Sequence, residues 1–379
     1  MYILVVAKSI SRSLTHLFIP TILSKNNYTL KDIVYSYYIV VQLADMAVIY
    51  PCIYIIRRFG LHIGFIIAAL SSTLHLWTVF NVSKLSIYIS AVIFGISEGF
   101  YWTSHHTCLI ISSRISLQKS IKAPYGKNLS LIKICSKLGS VIGPFIGGLL
   151  LSNSYDMYLM FLSSAITISS TIPLIYFCAH LKNQLLFEYI DVRKSGESRT
   201  KSLKEHSRNS ISLISCGVNK MLATTIWPFY CATSFFNSKF SIIGNWKSVT
   251  TMISILLIFF LGRITDSIHR KNLLFVGSFA TACIWILRSF STKLWHIGVS
   301  DMLYGWAASL LNIPFFADVY DRADYSELLK CVFIQELDTE TGGIIAWLLA
   351  GQLFDKKFHT LKPLFLLGVL TSITQCIYT

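Results

Sequence analysis

Long apolar runs alternate with short polar segments along the whole chain of 379 residues. The hydrocarbon core of a bilayer is about 30 Å thick, so a membrane-spanning helix needs about 20 apolar residues. By this measure the sequence predicts twelve spans, which in chain order are Tyr2–Leu23, Ile33–Ile56, Leu61–Phe80, Leu85–Ile111, Leu129–Leu151, Met157–Ala179, Ile211–Phe235, Ile242–Leu261, Asn272–Phe290, His296–Val319, Cys331–Phe354 and Leu361–Tyr378.

A single long polar segment, Leu181–Asn209, separates the sixth run from the seventh. It interleaves seven Lys or Arg residues with four acids, a composition typical of a solvated connector. The alternative is a basic segment that binds RNA or acidic lipid. We interpret the chain as three parts, a six-helix bundle at 1–180, a cytoplasmic linker at 181–209 and a second six-helix bundle at 210–379. The predicted fold class is all-α, with two pseudo-symmetric six-helix bundles in a membrane.

Composition agrees with this class. The chain is 54% hydrophobic and 13% charged, whereas soluble globular domains carry about 25% charged residues. The net charge of +15 lies mainly in short loops, where it sets topology, so a nucleic-acid partner is not expected. Counting Lys and Arg gives about a two-to-one excess on the N-terminal side. Both termini and the linker are therefore predicted to be cytoplasmic, with the plasma membrane as the expected location.

Cysteines do not point to a metal or to disulfides. All nine stand singly, without the paired spacing of a zinc site or the pattern of a disulfide framework. The start of the chain lacks the pattern of a cleavable signal peptide, because its first apolar run continues as a span. No cofactor or metal is predicted.

The fifth run contains a glycine-rich motif, GxxxGPxxGG. Gly139, Gly143 and Gly147 recur every four residues and lie on one helix face, where small residues let a second helix approach closely. Pro144 removes one backbone hydrogen bond and can kink the helix. Gly148 completes the motif. Helix packing alone is the alternative interpretation.

A second motif, GxxxDxxxRK, follows the eighth run. It consists of Gly262, Asp266, Arg270 and Lys271, so a small residue at a helix end is followed by one acid and two bases. The alternative is an ordinary cytoplasmic loop whose acid is incidental.

Together with the six-plus-six layout, the two motifs resemble those of the major facilitator superfamily of transporters. The first resembles the span-5 motif of its proton-coupled exporters, and the second its loop motif between spans 8 and 9. The chain departs from the family at His269, where the loop motif usually has Gly. It also departs at Glu98, where many proton-coupled members carry Arg in span 4. The matching first-half loop keeps only a basic residue and Gly60.

The resemblance implies a monomeric transporter whose loops latch the two halves in one state. Asp266 and Arg270 would then bind the inner ends of neighbouring spans, and the acids after span 10 (Asp318, Asp321, Asp324 and Glu327) are candidate partners for the basic residues. It also implies that spans 1, 4, 7 and 10 line a central cavity.

Ionisable residues inside spans are costly and rarely face lipid, so they are candidate site residues. Each of these four spans carries at least one such residue. The candidates for the cavity are Arg12 in span 1, Glu98, Trp102 and His105 in span 4, Lys220 and Trp227 in span 7, and Tyr304 in span 10. Lys8, Arg12 and His16 recur every four residues and form a cationic stripe.

Arg12 and Glu98 are predicted to lie at similar depth near the middle of the membrane. They can pair when the cavity is empty and separate for substrate or a proton. A carboxyl group in an apolar cavity is protonated more easily than in water, which makes Glu98 the first candidate proton carrier and His105 the second. A structural pair between Arg12 and Asp45 is the alternative.

Two further acidic features are interpreted as helix caps. Asp301 lies in the outer third of span 10. A cluster of Glu336, Asp338 and Glu340 enters span 11, where acids suit the positive end of the helix dipole.

The predicted function is secondary transport of a small solute by alternating access. Cations in spans 1 and 7 favour an anionic or zwitterionic solute, and the aromatic residues favour an amphipathic one. Proton-coupled export is the first mode, and uptake or uniport is the alternative. A non-transporting receptor or assembly factor on the same scaffold is the hypothesis from another class. The sequence lacks a phosphate-binding GxxxxGK[ST] loop and a catalytic motif, so we do not expect an enzyme.

Overall fold

The computed structural model describes residues 2–80, 83–119, 125–192, 203–265, 270–322, 328–354 and 362–377. These residues form twelve helical units, called spans 1 to 12. Their bounds are Tyr2–Thr15 with Ile19–Lys25 (span 1), Leu30–Asp32, Ile33–Tyr38 and Ile39–Phe59 (2), Leu61–Phe80 (3), Lys84–Lys119 (4), Tyr125–Ser152 (5), Asp156–Val192 (6), Leu203–Met221, Leu222–Ile226 and Trp227–Ser234 (7), Phe240–Thr265 (8), Arg270–Ser289 (9), Leu294–Arg322 (10), Leu328–Phe354 (11) and Lys362–Ile377 (12).

The twelve units confirm the predicted all-α, twelve-span fold. Within the described ranges, five stretches are long and apolar enough to cross a membrane by composition alone. They are Ile33–Phe59, Leu61–Phe80, Leu85–Ile111, Leu131–Ser152 and Lys271–Ser289. Other spans carry ionisable residues within the helix, such as Lys220 in span 7 and Glu340 in span 11. We call the face at which span 1 begins the N-terminal face and the opposite one the far face.

Spans 1 and 7 are not the continuous helices that the apolar pattern predicted. Span 1 is interrupted between Thr15 and Ile19, just before Pro20, and span 7 widens into a π-helix at Leu222–Ile226, just before Pro228. A proline inside a helix removes one hydrogen bond and clashes with the carbonyl four residues earlier. The first span of each half is thus irregular, broken by a turn in span 1 and widened in span 7.

Much of the segment predicted as a linker is helical. Residues 181–192 continue span 6, and residues 203–209 belong to the beginning of span 7. The remaining residues of the segment lie outside the described ranges.

Span 5 packs on span 1 through the predicted glycine face. A Cβ atom at Gly139 would lie 2.6 Å from the carbonyl oxygen of Val6, and one at Gly143 would lie 2.8 Å from that of Ile10. Gly147 meets Leu14 and Phe18 in the same way. The two helix backbones are therefore in contact, as small-residue faces in membranes allow.

The other side of span 5 packs on span 8 of the second half. A Cβ atom at Gly148 would lie 2.7 Å from the carbonyl oxygen of Phe240, and Gly244 faces the carbonyl of Pro144. Spans 2 and 11 form a further contact between the halves. The halves thus meet along two seams, with a space between them.

A large apolar cluster closes this space toward the far face. It joins Phe18 and Tyr38 of the first half to Ile226, Phe240 and Trp347 of the second. Near the N-terminal face a smaller cluster joins spans 2, 3 and 4 to Ala317, Tyr320 and Val332.

Candidate functional site

A cavity of about 640 Å³ lies between the two halves, in the middle of the bundle. Its lining ends at Ile19 of span 1 toward the far face and extends as far as Val5 toward the N-terminal face. Six of the seven predicted cavity residues line it, namely Arg12, Glu98, Trp102, His105, Lys220 and Tyr304.

Trp227 is the exception. Its side chain is buried behind the cavity wall with 1% of its surface exposed, and its indole nitrogen donates a hydrogen bond of 2.7 Å to Asp301. Trp227 was selected because it is an aromatic residue of span 7, and membership of a span does not determine which way a side chain points. A π-helix at Leu222–Ile226 immediately precedes it.

Arg12 and Glu98 form an ion pair across the cavity wall between spans 1 and 4. Their closest nitrogen and oxygen atoms are 2.5 Å apart, and 34% and 10% of the two side chains are exposed. The indole nitrogen of Trp102 donates to the same carboxylate oxygen at 3.1 Å. The Arg12 guanidinium lies 5.5 Å from the centroid of the Trp102 ring. The ammonium group of Lys220 lies 5.4 Å from the same centroid. Trp102 thus stands between two cations and one acid.

Asp45 does not pair with Arg12, contrary to the alternative interpretation of the sequence. Its side chain lines the cavity and is 3% exposed. Its oxygen Oδ1 has no hydrogen-bond partner among the described residues. A buried carboxylate oxygen without a partner is unfavourable unless the acid is neutral or that oxygen binds a ligand.

Lys220 pairs with Glu340 of span 11, at 3.2 Å. Glu340 is 1% exposed, and its second oxygen has no partner among the residues described. The interpretation of Glu336 and Glu340 as helix caps is wrong. Span 11 begins at Leu328, so both acids lie two to three turns inside the helix and face the cavity.

Glu336 instead joins the two halves. Its oxygen Oε1 lies 3.1 Å from His106 Nε2 of span 4. The other ring nitrogen of His106 is 2.5 Å from the hydroxyl of Tyr320 in span 10. His105, the predicted second proton carrier, stacks on Tyr101 instead, with ring centroids 5.5 Å apart.

Asp301 is not a helix cap either. It lies seven residues after the start of span 10 and accepts a hydrogen bond of 2.7 Å from Arg288 of span 9. The guanidinium is surrounded by the rings of Trp227, Trp285 and Tyr304, at 4.7, 4.7 and 4.1 Å from the ring centroids. Sequence reasoning missed Arg288, because span 9 is not one of the four spans that the resemblance implies.

The predicted gating residues have mixed placements. Gly139, Gly143, Gly147 and Gly148 form the helix contacts described above, and Pro144 lines the cavity. Gly262 lies in span 8, Arg270 begins span 9 and Lys271 is exposed. Asp266 lies outside the described residues, as do Asp324 and Glu327.

No protein-family model and no curated protein matches the chain by sequence. Solved structures match over nearly its whole length. The nucleoside transporter NupG aligns with a TM-score of 0.65 and 12% identity, covering 99% of this chain and 96% of that one. The human organic anion transporter MFSD10 (TETRAN) gives 0.62 and 14%, covering 98% and 97%.

FucP, a major facilitator superfamily transporter in the outward conformation, gives a TM-score of 0.67 with 10% identity, covering all of this chain and 96% of that one. Each of these likenesses extends over both halves. The chain therefore has the twelve-span fold of major facilitator superfamily transporters, the family that its motifs resemble.

Proposed function

We propose that this protein is a secondary transporter that moves a small solute across the membrane by alternating access. The observation that carries the proposal is the cavity between the halves, where charged side chains from both halves converge. Transporters built from repeats bind their solutes at such a junction, near the middle of the membrane. A volume of about 640 Å³ suits a small molecule, since ligand pockets measure about 300 to 1,000 Å³.

The contacts between the halves differ at the two ends of the cavity, which supports a rocking motion. Apolar and aromatic side chains close the far end. Toward the N-terminal face, the polar contact of His106 with Glu336 and Tyr320 joins the halves beside the cavity. If the N-terminus is cytoplasmic, the far end is the outer end of the cavity, and opening it requires the aromatic contacts to separate.

Glu98 is the proposed proton carrier. As a carboxylate it holds Arg12 and accepts from Trp102. Protonation removes its negative charge, so the ion pair is lost and Arg12 is free to bind solute. Export coupled to proton entry is the mode that the span-5 motif favours. His105 is the second candidate carrier.

The experiment is a flux assay on purified protein in liposomes that contain a pH-sensitive dye. A pH gradient is imposed, and charged and uncharged solutes are added one at a time. We expect at least one solute to produce proton movement that depends on the protein, and Glu98→Gln to reduce the rate about tenfold or more.

The matched control is Asp156→Asn, which removes the same charge from an exposed position at the beginning of span 6. It should retain the flux of the parent protein. Flux that persists in Glu98→Gln would contradict the proton-carrier assignment. An absence of flux for every solute in correctly folded protein would contradict transport and favour the receptor or assembly factor.

A further inference from the structure

We propose that the solute carries a carboxylate or phosphate group, and that this group binds four lysines on one wall of the cavity. The lysines are Lys8 of span 1, Lys133 and Lys137 of span 5, and Lys247 of span 8, and we call them the basic wall. All four line the cavity. The inference deepens the proposed function, because it takes the cavity to be the solute site.

Two of the cations that the sequence suggested for an anionic solute are already paired with acids. Arg12 is paired with Glu98 and Lys220 with Glu340, at 2.5 and 3.2 Å. Arg288, the third cation of the cavity with a partner, is bound to Asp301 at 2.7 Å and is only 3% exposed. A solute anion would have to displace a carboxylate from each of them.

The basic wall lacks such partners. Within the described part of the chain, none of its four lysines has a carboxylate within ion-pair distance. The acids whose charge acts on these lysines are more remote. They are Glu98 for Lys8, and Asp301 for both Lys137 and Lys247. These two acids are already bound to Arg12 and Arg288.

The four lysines lie on three helices that pack side by side, because span 5 is in contact with both span 1 and span 8. Lys133 and Lys137 are one helical turn apart on span 5, a spacing at which like charges repel each other. Lys247 lies on span 8, which packs against span 5, and lines the same cavity. Lys8 lies over the ring of Tyr101, with its Nζ atom 5.0 Å from the centroid.

Hydroxyl groups line the cavity on the same helices as these cations. Ser9, Ser136 and Ser140 line the same wall, and Ser9 and Ser140 are hydrogen-bonded to each other at 3.1 Å. The hydroxyls of Ser9 and Ser140 also donate to the carbonyl oxygen of Ser136. The ammonium groups are therefore the donors left for an oxyanion, and such charge-assisted hydrogen bonds are short and strong.

The lysines of the basic wall favour an anionic ligand because of where they lie. Like charges in a medium of low dielectric repel each other strongly, and each ammonium group has lost part of its hydration. An anion that binds between them removes this repulsion. The acids without full partners, Asp45 and Glu340, line other parts of the cavity, on spans 2 and 11. The cavity is thus polarised, and the anionic end of a solute is directed to spans 1, 5 and 8.

The test uses pairs of ligands that differ in charge. Purified full-length protein is heated with uridine monophosphate or uridine, and with benzoate or benzamide, and the ligand-dependent rise in melting temperature is measured. A ligand that binds only the native state raises this temperature. We expect the charged member of at least one pair to act at a tenfold lower concentration than its neutral partner. The pair that responds distinguishes phosphate from carboxylate.

Variants locate the site. Lys137→Gln should raise the concentration of the anion needed for the half-maximal shift at least tenfold, and Lys137→Arg, which keeps the charge, should restore much of the binding. Lys239→Gln removes a lysine from an exposed position on the far face and should leave anion binding unchanged. The melting temperature without ligand reports whether each variant is folded.

Two results would overturn the proposal. One is an equal response to the charged and neutral members of both pairs, including no response to either. The other is a loss of anion binding in Lys239→Gln as large as that in Lys137→Gln.

Transport is measured separately. Flux of neutral solutes alone would contradict the basic wall and leave the transporter intact, whereas anion binding without flux would uphold the wall and contradict transport.

Discussion

The ring of Tyr38 in span 2 lies parallel to the indole of Trp347 in span 11, with centroids 4.1 Å apart and an angle of 8° between the planes. The two residues belong to different halves, and each is almost completely buried. They lie where the apolar cluster closes the cavity toward the far face. In a rocking mechanism this stacked pair has to separate before the cavity opens on that side.

Replacing Trp347 with leucine should favour the state that is open at the far face. The change keeps an apolar side chain but removes a stacked ring, a contact worth about 1 kcal/mol, which is about fivefold in the ratio of two states. The measurement is the distance between spin labels at positions 26 and 239, in a variant from which the native cysteines have been removed. Longer distances should become more populated.

Trp295→Leu is the control for this experiment. Trp295 is 63% exposed at the beginning of span 10 on the same face, and its loss should leave the label distances unchanged. Distances that stay the same in Trp347→Leu would show that the stacked pair does not hold the far end closed.

Glu336→Gln should weaken the connection between the halves near the N-terminal face. The change removes the charge that faces His106 across the two halves. Glu340→Gln is the matched control, since Glu340 lies one turn further along span 11 and its partner Lys220 belongs to the same half. Labels at positions 59 and 272, both exposed on the N-terminal face, should separate further in the first variant only. Equal effects would contradict this assignment.

Gly143→Ala should destabilise the protein, although alanine usually strengthens a helix. A Cβ atom at this position would lie 2.6 Å from Ser13 Cβ and 2.8 Å from the carbonyl oxygen of Ile10, so spans 1 and 5 would have to move apart. Overpacking of this kind costs about 1 to 3 kcal/mol. At Gly298, where a Cβ atom would meet no described atom within 4 Å, the same change should be neutral or stabilise by about 0.5 to 1 kcal/mol.

Melting temperatures of the two glycine variants provide the check. If both move in the same direction by similar amounts, the glycine face of span 5 does not serve close helix contact.

Asp301→Asn should be among the most damaging single substitutions. It leaves the charge of Arg288 buried without an acid, and the loss of one partner of a buried ion pair costs about 3 to 5 kcal/mol. The double variant Arg288→Met with Asp301→Asn removes both charges and should melt at a higher temperature than the single variant. A double variant less stable than Asp301→Asn would show that the pair is not coupled in this way.

The twelve spans were predictable because hydropathy and helix length act locally, and because the same apolar run that fills a membrane forms the helix. The interruptions of spans 1 and 7 were less apparent. Pro20 and Pro228 were visible in the sequence, but both lie within runs that remain apolar. Whether a proline kinks, breaks or widens a helix depends on what packs against it.

Some of the cavity residues could be predicted from the sequence and others could not. Arg12, Glu98 and Lys220 were found because ionisable groups in the middle of a span are rare. Lys133 and Lys137 were missed, since basic residues near the end of a predicted span are usually assigned to the topology of the chain. The partners of Arg12 and Lys220 depend on how spans 4 and 11 are placed in three dimensions. A single sequence contains no signal for that placement.

The most direct test of alternating access compares both label pairs, 26 with 239 and 59 with 272, in one series of liposome samples across a range of pH and with added solute. The account predicts opposite changes, so that conditions which lengthen the far-face distance shorten the N-terminal-face distance. Distances that change together, or that remain fixed on both faces while solute is bound, would contradict a carrier built from two rocking halves.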